Sequence, residues 1–375
     1  MDFTFNEEQG LIKGQVEQFI QRDYDWETRQ SFILNDSGFS QKNWKTFAEL
    51  GWLGISLSEE SGGFGGSAID TMIVMEEFGK GLVLEPFLET VVMCAGLIDS
   101  TGNSEQKKEI LSEVVEGRMQ LALAYAEPQS RFNLADVMTE AKQDGDNFIL
   151  NGFKSVVMNG PNANQIIISA RTSGDQRDEL GISLFVVETE SSGLSLRNYQ
   201  TVDNRRASEL TLESVRVPNS SLIGELNQGF KELDSSIDRA ILAISAEAVG
   251  AMEILYKTTV EYTKTREQFG TPIGKFQVLQ HRMVDMFMEY EQCKSLLYMA
   301  TMKHDEVSSD AKKAISGLKY QVGNAAKFVG QQAVQLHGGM GVTDELNVGH
   351  YFKRLTTIGT IFGNSDYHLK KYTAL

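Results

Sequence analysis

Two groups of residues in this chain are of the kind that handles ligands. The first lies in Y-T-K-T-R-E-Q-F-G-T-P-I-G-K-F-Q-V-L-Q-H, residues 262 to 281. A helical pattern enters this stretch and is broken by Gly270, Pro272 and Gly274. Neither proline nor close glycines suit a helix interior, so the break reads as a tight connection between two helices. Arg266 and Phe269 stand just before it, Phe276 and Gln277 just after. A guanidinium, two rings and an amide at a helix junction suit a flat ligand that carries phosphate. A decorated surface turn has the same composition. The second group is Q-L-H-G-G-M-G, residues 335 to 341. Gln335 is followed there by Gly338, Gly339 and Gly341, which permit positive φ and close approach of a ligand to backbone. A plain helix end reads the same way.

The elements that must position these residues follow from periodicity. Residues 1–120 read as a helical domain, opened by Phe5 and a helix-start N-E-E-Q with Leu11, Val16, Phe19 and Ile20 on one face. Gly62, Gly63, Gly65 and Gly66 form a loop, and no Lys-Ser/Thr pair follows them, so a phosphate-binding P-loop is not expected. Residues 121–225 change period: β-branched and aromatic runs separated by Gly, Asn and Asp turns read as a β-domain. Residues 226–375 return to helices. One stripe carries Ile241, Ser245, Ala248, Met252, Leu255 and Thr259. A second carries Leu279, Met283, Met286, Tyr290, Cys293, Leu297 and Ala300, and a third Leu318, Val322, Ala325, Val329, Ala333 and Leu336. Such stripes read as the core of an antiparallel four-helix bundle. The fold expected is mainly α with a central β-domain.

The totals narrow the function classes. A net charge of −16 over 375 residues argues against nucleic acid, which calls for a basic surface. Cys94 and Cys293 lie in apolar helical contexts and offer neither a disulfide framework nor a metal site. Five scattered histidines give no ligand spacing. No G-x-G-x-x-G follows a strand pattern, so conventional dinucleotide binding is not expected. No leader and no membrane-long apolar run are evident, and a cytoplasmic location is expected.

The motif R-x-Q-F-G-x-P-I-x-x-F-Q-x-x-Q-H resembles the central motif of the acyl-CoA dehydrogenase flavoproteins, and the resemblance extends over nearly the whole chain. The N-terminal M-E-E-F-G and the Glu85-Pro86 step share it. That implies the family's fold: an N-terminal helical domain, a β-barrel and a C-terminal four-helix bundle. It implies FAD held by Arg266, Phe269, Phe276, Gln277 and the Gln335, Gly338, Gly339 loop, at a site shared between subunits of a dimer or tetramer. It also implies that Tyr125 and Ala126, in A-Y-A-E-P, and Val156 and Met158, in N-G-F-K-S-V-V-M-N-G, lie against the flavin. Here the chain departs from the family. Gln129-Ser130-Arg131-Phe132 replaces a small Gly- and Ser-rich turn, and Val156 and Met158 stand where Trp and Thr are common.

The reaction implied is α,β-dehydrogenation of an acyl-CoA thioester, with electron-transfer flavoprotein as acceptor and a carboxylate as base. Phe362 occupies the usual base position, and Ala240 and Ile241 occupy the alternative Glu-Arg position. Three acids nearby remain candidates. Asp238 is two residues early on the helix. Glu247 is seven residues late amid apolar neighbours, and Asp366 lies near a helix start, where N-capping is the ordinary role. The C-terminal stretch from Val348 resembles bacterial small-subunit members such as the pimeloyl-CoA dehydrogenase small subunit, which work beside a related subunit. A non-catalytic subunit completing a partner's flavin site, and a flavin oxidase or monooxygenase on the same fold, are the alternatives.

Overall fold

Helix-start chemistry is visible at the first element of the computed structural model, which describes residues 4–375. Asn6 accepts from the Gln9 backbone N–H at 2.8 Å, and the Gln9 side chain accepts from the Asn6 N–H at 3.1 Å. This reciprocal cap opens α1 (Glu7–Asp23). Val16 and Phe19 are buried as expected, but Leu11 is 63% exposed, so the buried stripe is narrower than its spacing suggested. Short helices follow: α2 (Trp26–Ile33), α3 (Gln41–Glu49), α4 (Ala68–Gly81), a π-helical Leu88–Ala95, α5 (Gly96–Thr101), α6 (Ser104–Gln106) and α7 (Ser112–Val115).

The β region comprises β1 (Leu121–Ala124), β2 (Glu140–Asp144), β3 (Asn147–Met158), β4 (Gln165–Arg171), β5 (Ile182–Glu188), β6 (Leu194–Gln200), β7 (Arg206–Pro218) and β8 (Leu222–Ile223). They form one mixed sheet in the order β6-β7-β3-β2-β4-β5-β8, with β1 parallel to β4. Alternate residues of these strands, among them Phe148, Leu150, Ile166, Ile168, Phe185, Leu210 and Leu212, bury a common core, as period-2 side-chain alternation requires.

The helical remainder is α8 (Gly229–Thr265), a small hairpin of β9 (Glu267–Gln268) and β10 (Thr271–Pro272), α9 (Gln277–Asp305), α10 (Ala311–His337), α11 (Val348–Ile358) and α12 (Ser365–Ala374). The expected stripe of α10 is buried throughout, and α10 packs against α9, α11 and α12. Two glycines allow α4 and α8 to cross with backbones in contact. A Cβ at Gly79 would lie 2.0 Å from the Glu247 carbonyl oxygen, and one at Gly250 1.8 Å from that of Glu76. No other residue fits at either position.

The chain packs as two compact units. One comprises residues 4–31, Ser67–Val83 and Ile241–Leu375, and the other Phe32–Gly66 and Leu84–Ala240. The N-terminal helices thus divide between the units. Among the described residues no helix is long and apolar enough to cross a membrane, and no group of His, Cys, Asp and Glu is placed to hold a metal ion.

Candidate functional site

The end of α8 and the end of α10 meet at a pocket of about 610 Å³ in the helical unit, lined by Arg266, Gln335, Gly338 and Gly339 among others. The chain leaves α8 after Thr265, and the Arg266 carbonyl accepts from the Ile273 N–H at 2.8 Å to close the β9–β10 hairpin. Phe269 (φ +53°) and Gly270 (φ +75°) form its two-residue tip. Two positive φ values in succession give the twist that matches a tight hairpin. The position is strained for a bulky residue such as Phe269. Its ring is 94% exposed and touches Phe276 edge-on, with centroids 6.4 Å apart. The sequence showed a tight connection here but not the hairpin, because paired strands of two residues leave no periodicity to read.

Opposite Arg266, Tyr262 stacks on His337 at 4.2 Å. Burial pushes the His337 pKa down, and its Nδ1–H donates to the Ala333 carbonyl at 2.8 Å. The ring is therefore neutral near pH 7. Gly338 adopts φ +61°, ψ −142°, a conformation open almost only to glycine. A Cβ at Gly338 or Gly339 would meet nothing within 4 Å, so internal packing does not account for the glycines. The backbone conformation and the open space before them do. Arg266 and Gln335 are exposed, and neither side chain has a hydrogen-bond or ion-pair partner among the described residues. Gln277 begins α9 and is likewise exposed. Free guanidinium and amide donors beside bare glycine backbone fit the phosphates and adenosine end of FAD.

The second group of expected contacts lies in the sheet unit. The Ser155 N–H donates to the Ala126 carbonyl at 2.9 Å, which brings Tyr125 and Ala126 beside Val156. There β3 slips register between Lys154 and Val157, and Val156 is pushed to φ +52° and 54% exposure. A β-branched residue in that region is strained. Beneath the bulge the fully buried Lys154 ammonium meets Glu127 Oε1 at 2.7 Å and Ser169 Oγ at 3.0 Å. Burial pushes Lys154 down to about 8, with Glu127 opposing. Burial alone would raise the Glu127 carboxyl, but its Lys154 partner and hydrogen bonds bring it below the ordinary value. Glu127 also accepts from the backbone N–H groups of Met138 and Thr139. The Glu-Pro step after β1 therefore serves as an anchor under the strained loop. Met158 lies at the end of β3 on a water-sized cavity of about 20 Å³ shared with Glu89.

The three candidate bases lie in different settings. Glu247 is 2% exposed and accepts from Arg354 Nε at 2.6 Å through Oε1 and from Nη2 at 2.6 Å through Oε2. Both carboxylate oxygens are committed to a structural pair, which overturns the reading of Glu247 as an acid in purely apolar surroundings. Asp238 is buried on α8 within the sheet unit. Asp366 is exposed in the first turn of α12. The cap there is Asn364, whose Oδ1 accepts from the Tyr367 N–H at 3.0 Å, so the capping role expected of Asp366 belongs to its neighbour.

Phe362 (φ +58°) sits in the turn between α11 and α12. That turn is pinned from beneath. Lys319 Nζ donates to the carbonyls of Ile358 at 2.7 Å and Gly363 at 3.2 Å, and His368 Nε2 bonds the Phe362 carbonyl at 2.9 Å. Lys319 is fully buried without a carboxylate in contact, and burial pushes its pKa down to about 7. Sequence reasoning took α10 for plain core. The signal available was spacing: Lys319 falls four residues after Ile315 and three before Val322, on the buried side of the helix.

The comparisons with known proteins cover the same ground. The chain matches the N-terminal domain of acyl-CoA dehydrogenases over residues 6–118, the middle domain over 122–215 and the C-terminal domain over 227–373. It is 31% identical over 359 residues to the short-chain-specific acyl-CoA dehydrogenase of Clostridium acetobutylicum, covering 93% of this chain and 92% of that one. The solved FAD complex of PigA superposes with a TM-score of 0.92 at 29% identity, covering 100% of this chain and 98% of that one. The Tcur3481-Tcur3483 steroid ACAD structure superposes with a TM-score of 0.88 at 27% identity, covering 98% and 97%. This chain belongs to the acyl-CoA dehydrogenase family, and its cofactor is FAD.

Proposed function

We propose that this chain is one subunit of an FAD-dependent acyl-CoA dehydrogenase that takes its catalytic base from a related partner chain. The observation that carries the reading is the turn at Phe362. A side chain with no proton-accepting group stands where the family resemblance calls for a carboxylate, and both oxygens of the buried Glu247 are engaged by Arg354. In this reading Arg266, Gln335 and the Gly338–Gly339 backbone hold the phosphate and adenosine end of FAD. Phe269 and Phe276 offer ring faces, Gln277 an amide, and the Tyr125–Ala126 and Val156–Met158 loops lie against the ring system. FAD bound there would supply the acceptor for the hydride leaving the β-carbon of the acyl thioester, with an electron-transfer flavoprotein in the cytoplasm as the acceptor of its electrons. The exposed Phe269 and the open glycine loop suit a site completed by a second chain.

The test is turnover of straight-chain, dicarboxylic and cyclic acyl-CoA thioesters with a dye acceptor under nitrogen. The isolated homomer is compared with the complex that co-purifies from the native host. Loss of a general base costs about 10²–10⁴-fold, so the homomer is expected to be slower than the complex by that factor. Fast turnover by the homomer that is abolished by Asp238→Asn alone would show instead a complete enzyme with a relocated carboxylate.

A further inference from the structure

Glu89 is a buried acid whose carboxylate the fold leaves unused. Of the other buried glutamates, Glu76, Glu77, Glu85, Glu127 and Glu247 each meet a hydrogen-bond or ion-pair partner. Glu89, at 6% exposure, has none among the described residues. Its Oε2 is sealed by the packing, whereas the equally unpartnered Oε1 is not. The residue stands in the first turn of the π-helical Leu88–Ala95. Turns of this wide kind are rare and are found frequently at functional sites.

The carboxylate has a space beside it. Glu89 borders the cavity of about 20 Å³, together with Phe39, Pro86, Met158, Arg205 and Arg206. That volume admits about one water-sized group. Neither arginine forms an ion pair with Glu89, and Arg206 turns instead to the carbonyls of Ile33 and Asn35, donating through Nη2 at 3.1 and 3.2 Å. A carboxylate held out of water without a donor is costly, and a hydrocarbon chain laid against it leaves it so. A hydroxyl or an ammonium group is of the right size and supplies the missing donor. Met158 borders the same cavity, and in the proposed reading its loop lies against the ring system, where the acyl group reacts.

We propose that Glu89 is a specificity-determining residue, which accepts a hydrogen bond from a hydroxyl or ammonium group carried on the acyl chain of the substrate. The assignment rests on the acyl-thioester reading of this chain for its ligand, but on the bare carboxylate and its cavity for its chemistry.

Calorimetric titration of the flavoprotein, as isolated with any partner, compares unsubstituted, ω-hydroxy and ω-amino acyl-CoA thioesters of propanoyl, hexanoyl and octanoyl length. Wild type is expected to bind one of the substituted thioesters about 10- to 100-fold more tightly than its unsubstituted counterpart. Glu89→Gln removes the charge at nearly constant shape. It should lose that preference by weaker binding of the substituted thioester, with the unsubstituted one within twofold of wild type. Preference for the amino series identifies an ammonium ligand, and preference for the hydroxy series a hydroxyl. The melting temperature without thioester is a second readout. Glu89→Gln discards an unpaired buried charge and should melt no lower than wild type. Three results overturn the proposal while leaving the acyl-thioester reading intact: no preference in wild type, a preference that survives in Glu89→Gln, or a midpoint of Glu89→Gln several degrees lower. Should wild type bind no thioester, that reading fails. The site is then decided by whether millimolar ethanolamine, at fixed ionic strength, raises the melting temperature of wild type but not of Glu89→Gln. No such difference overturns the proposal.

Discussion

Replacing Arg354 by Met tests whether Glu247 is a structural anion or a reactive one. The pair is buried at 4% and 2% exposure and joined by two bonds of 2.6 Å. Removing one partner of such a pair leaves an uncompensated buried charge and costs about 3–5 kcal/mol. The unfolding entropy is about 2.1 cal/mol/K per residue, so 375 residues unfolding together give about 0.8 kcal/mol/K. Arg354→Met should then lower the melting temperature by about 4–6 °C in differential scanning calorimetry. The double variant Glu247→Leu, Arg354→Met removes both charges at similar volume and should return to within about 1–2 °C of wild type. With Glu247→Leu as the second single variant, the double-mutant cycle yields the coupling between the two residues. The reasoning fails if Arg354→Met shifts the midpoint by under about 1 °C. It also fails if Glu247→Gln abolishes turnover of the native complex at an unchanged midpoint, since the carboxylate would then be chemical.

Further outcomes follow from other residues. Arg266→Ala should weaken FAD about 10- to 100-fold, by loss of one charge-assisted contact, and flavin fluorescence titration reads it. Unchanged affinity removes Arg266 from the site. Phe362→Glu places a carboxylate on the turn held by Lys319 and His368, and should raise turnover of the homomer by at least about 10²-fold. No gain would show that this turn does not face the substrate. Lys319 titrates near 7 in the folded chain against an ordinary value of 10.5. Between those values the unfolded chain binds a proton that the folded chain does not, so stability rises with pH across that window. Below about 7 both forms are protonated and the burial penalty is constant. Urea midpoints measured from pH 6 to 10 should rise in wild type and stay flatter in Lys319→Met, and parallel curves would refute the assignment.

The long helices were legible because their buried stripes repeat every three and four residues. Ile241 through Thr259 and Leu318 through Val329 are buried in that rhythm. The strands were legible through their β-branched runs. What stayed hidden depends on partners far apart in sequence. Glu247 reads as an isolated acid until Arg354, 107 residues away, closes on both oxygens. Lys154 reads as one more strand residue until Glu127 and Ser169 converge on it. Gly79 and Gly250 carry no local signal, because the requirement at each is imposed by a carbonyl of the other helix. In the pocket at the ends of α8 and α10 the residue types were readable in advance, Arg266 and Gly338 among them. The strained φ of Phe269 in the hairpin and of Val156 in the β3 bulge was not, since neither residue type favours that conformation.

The division of the helical unit among three separate stretches of chain bears on how the protein is made. Met72, Ile73, Val74, Met75 and Phe78 on α4 are buried in that unit, whose largest stretch begins only at Ile241. A ribosome adding about 5–20 residues per second thus exposes this apolar helix for roughly 8–30 s before the stretch that covers it starts to emerge. Over that interval a nascent chain is a substrate for holding chaperones and for aggregation. Synthesis rate between Val83 and Ile241 should accordingly govern soluble yield more than synthesis rate after it.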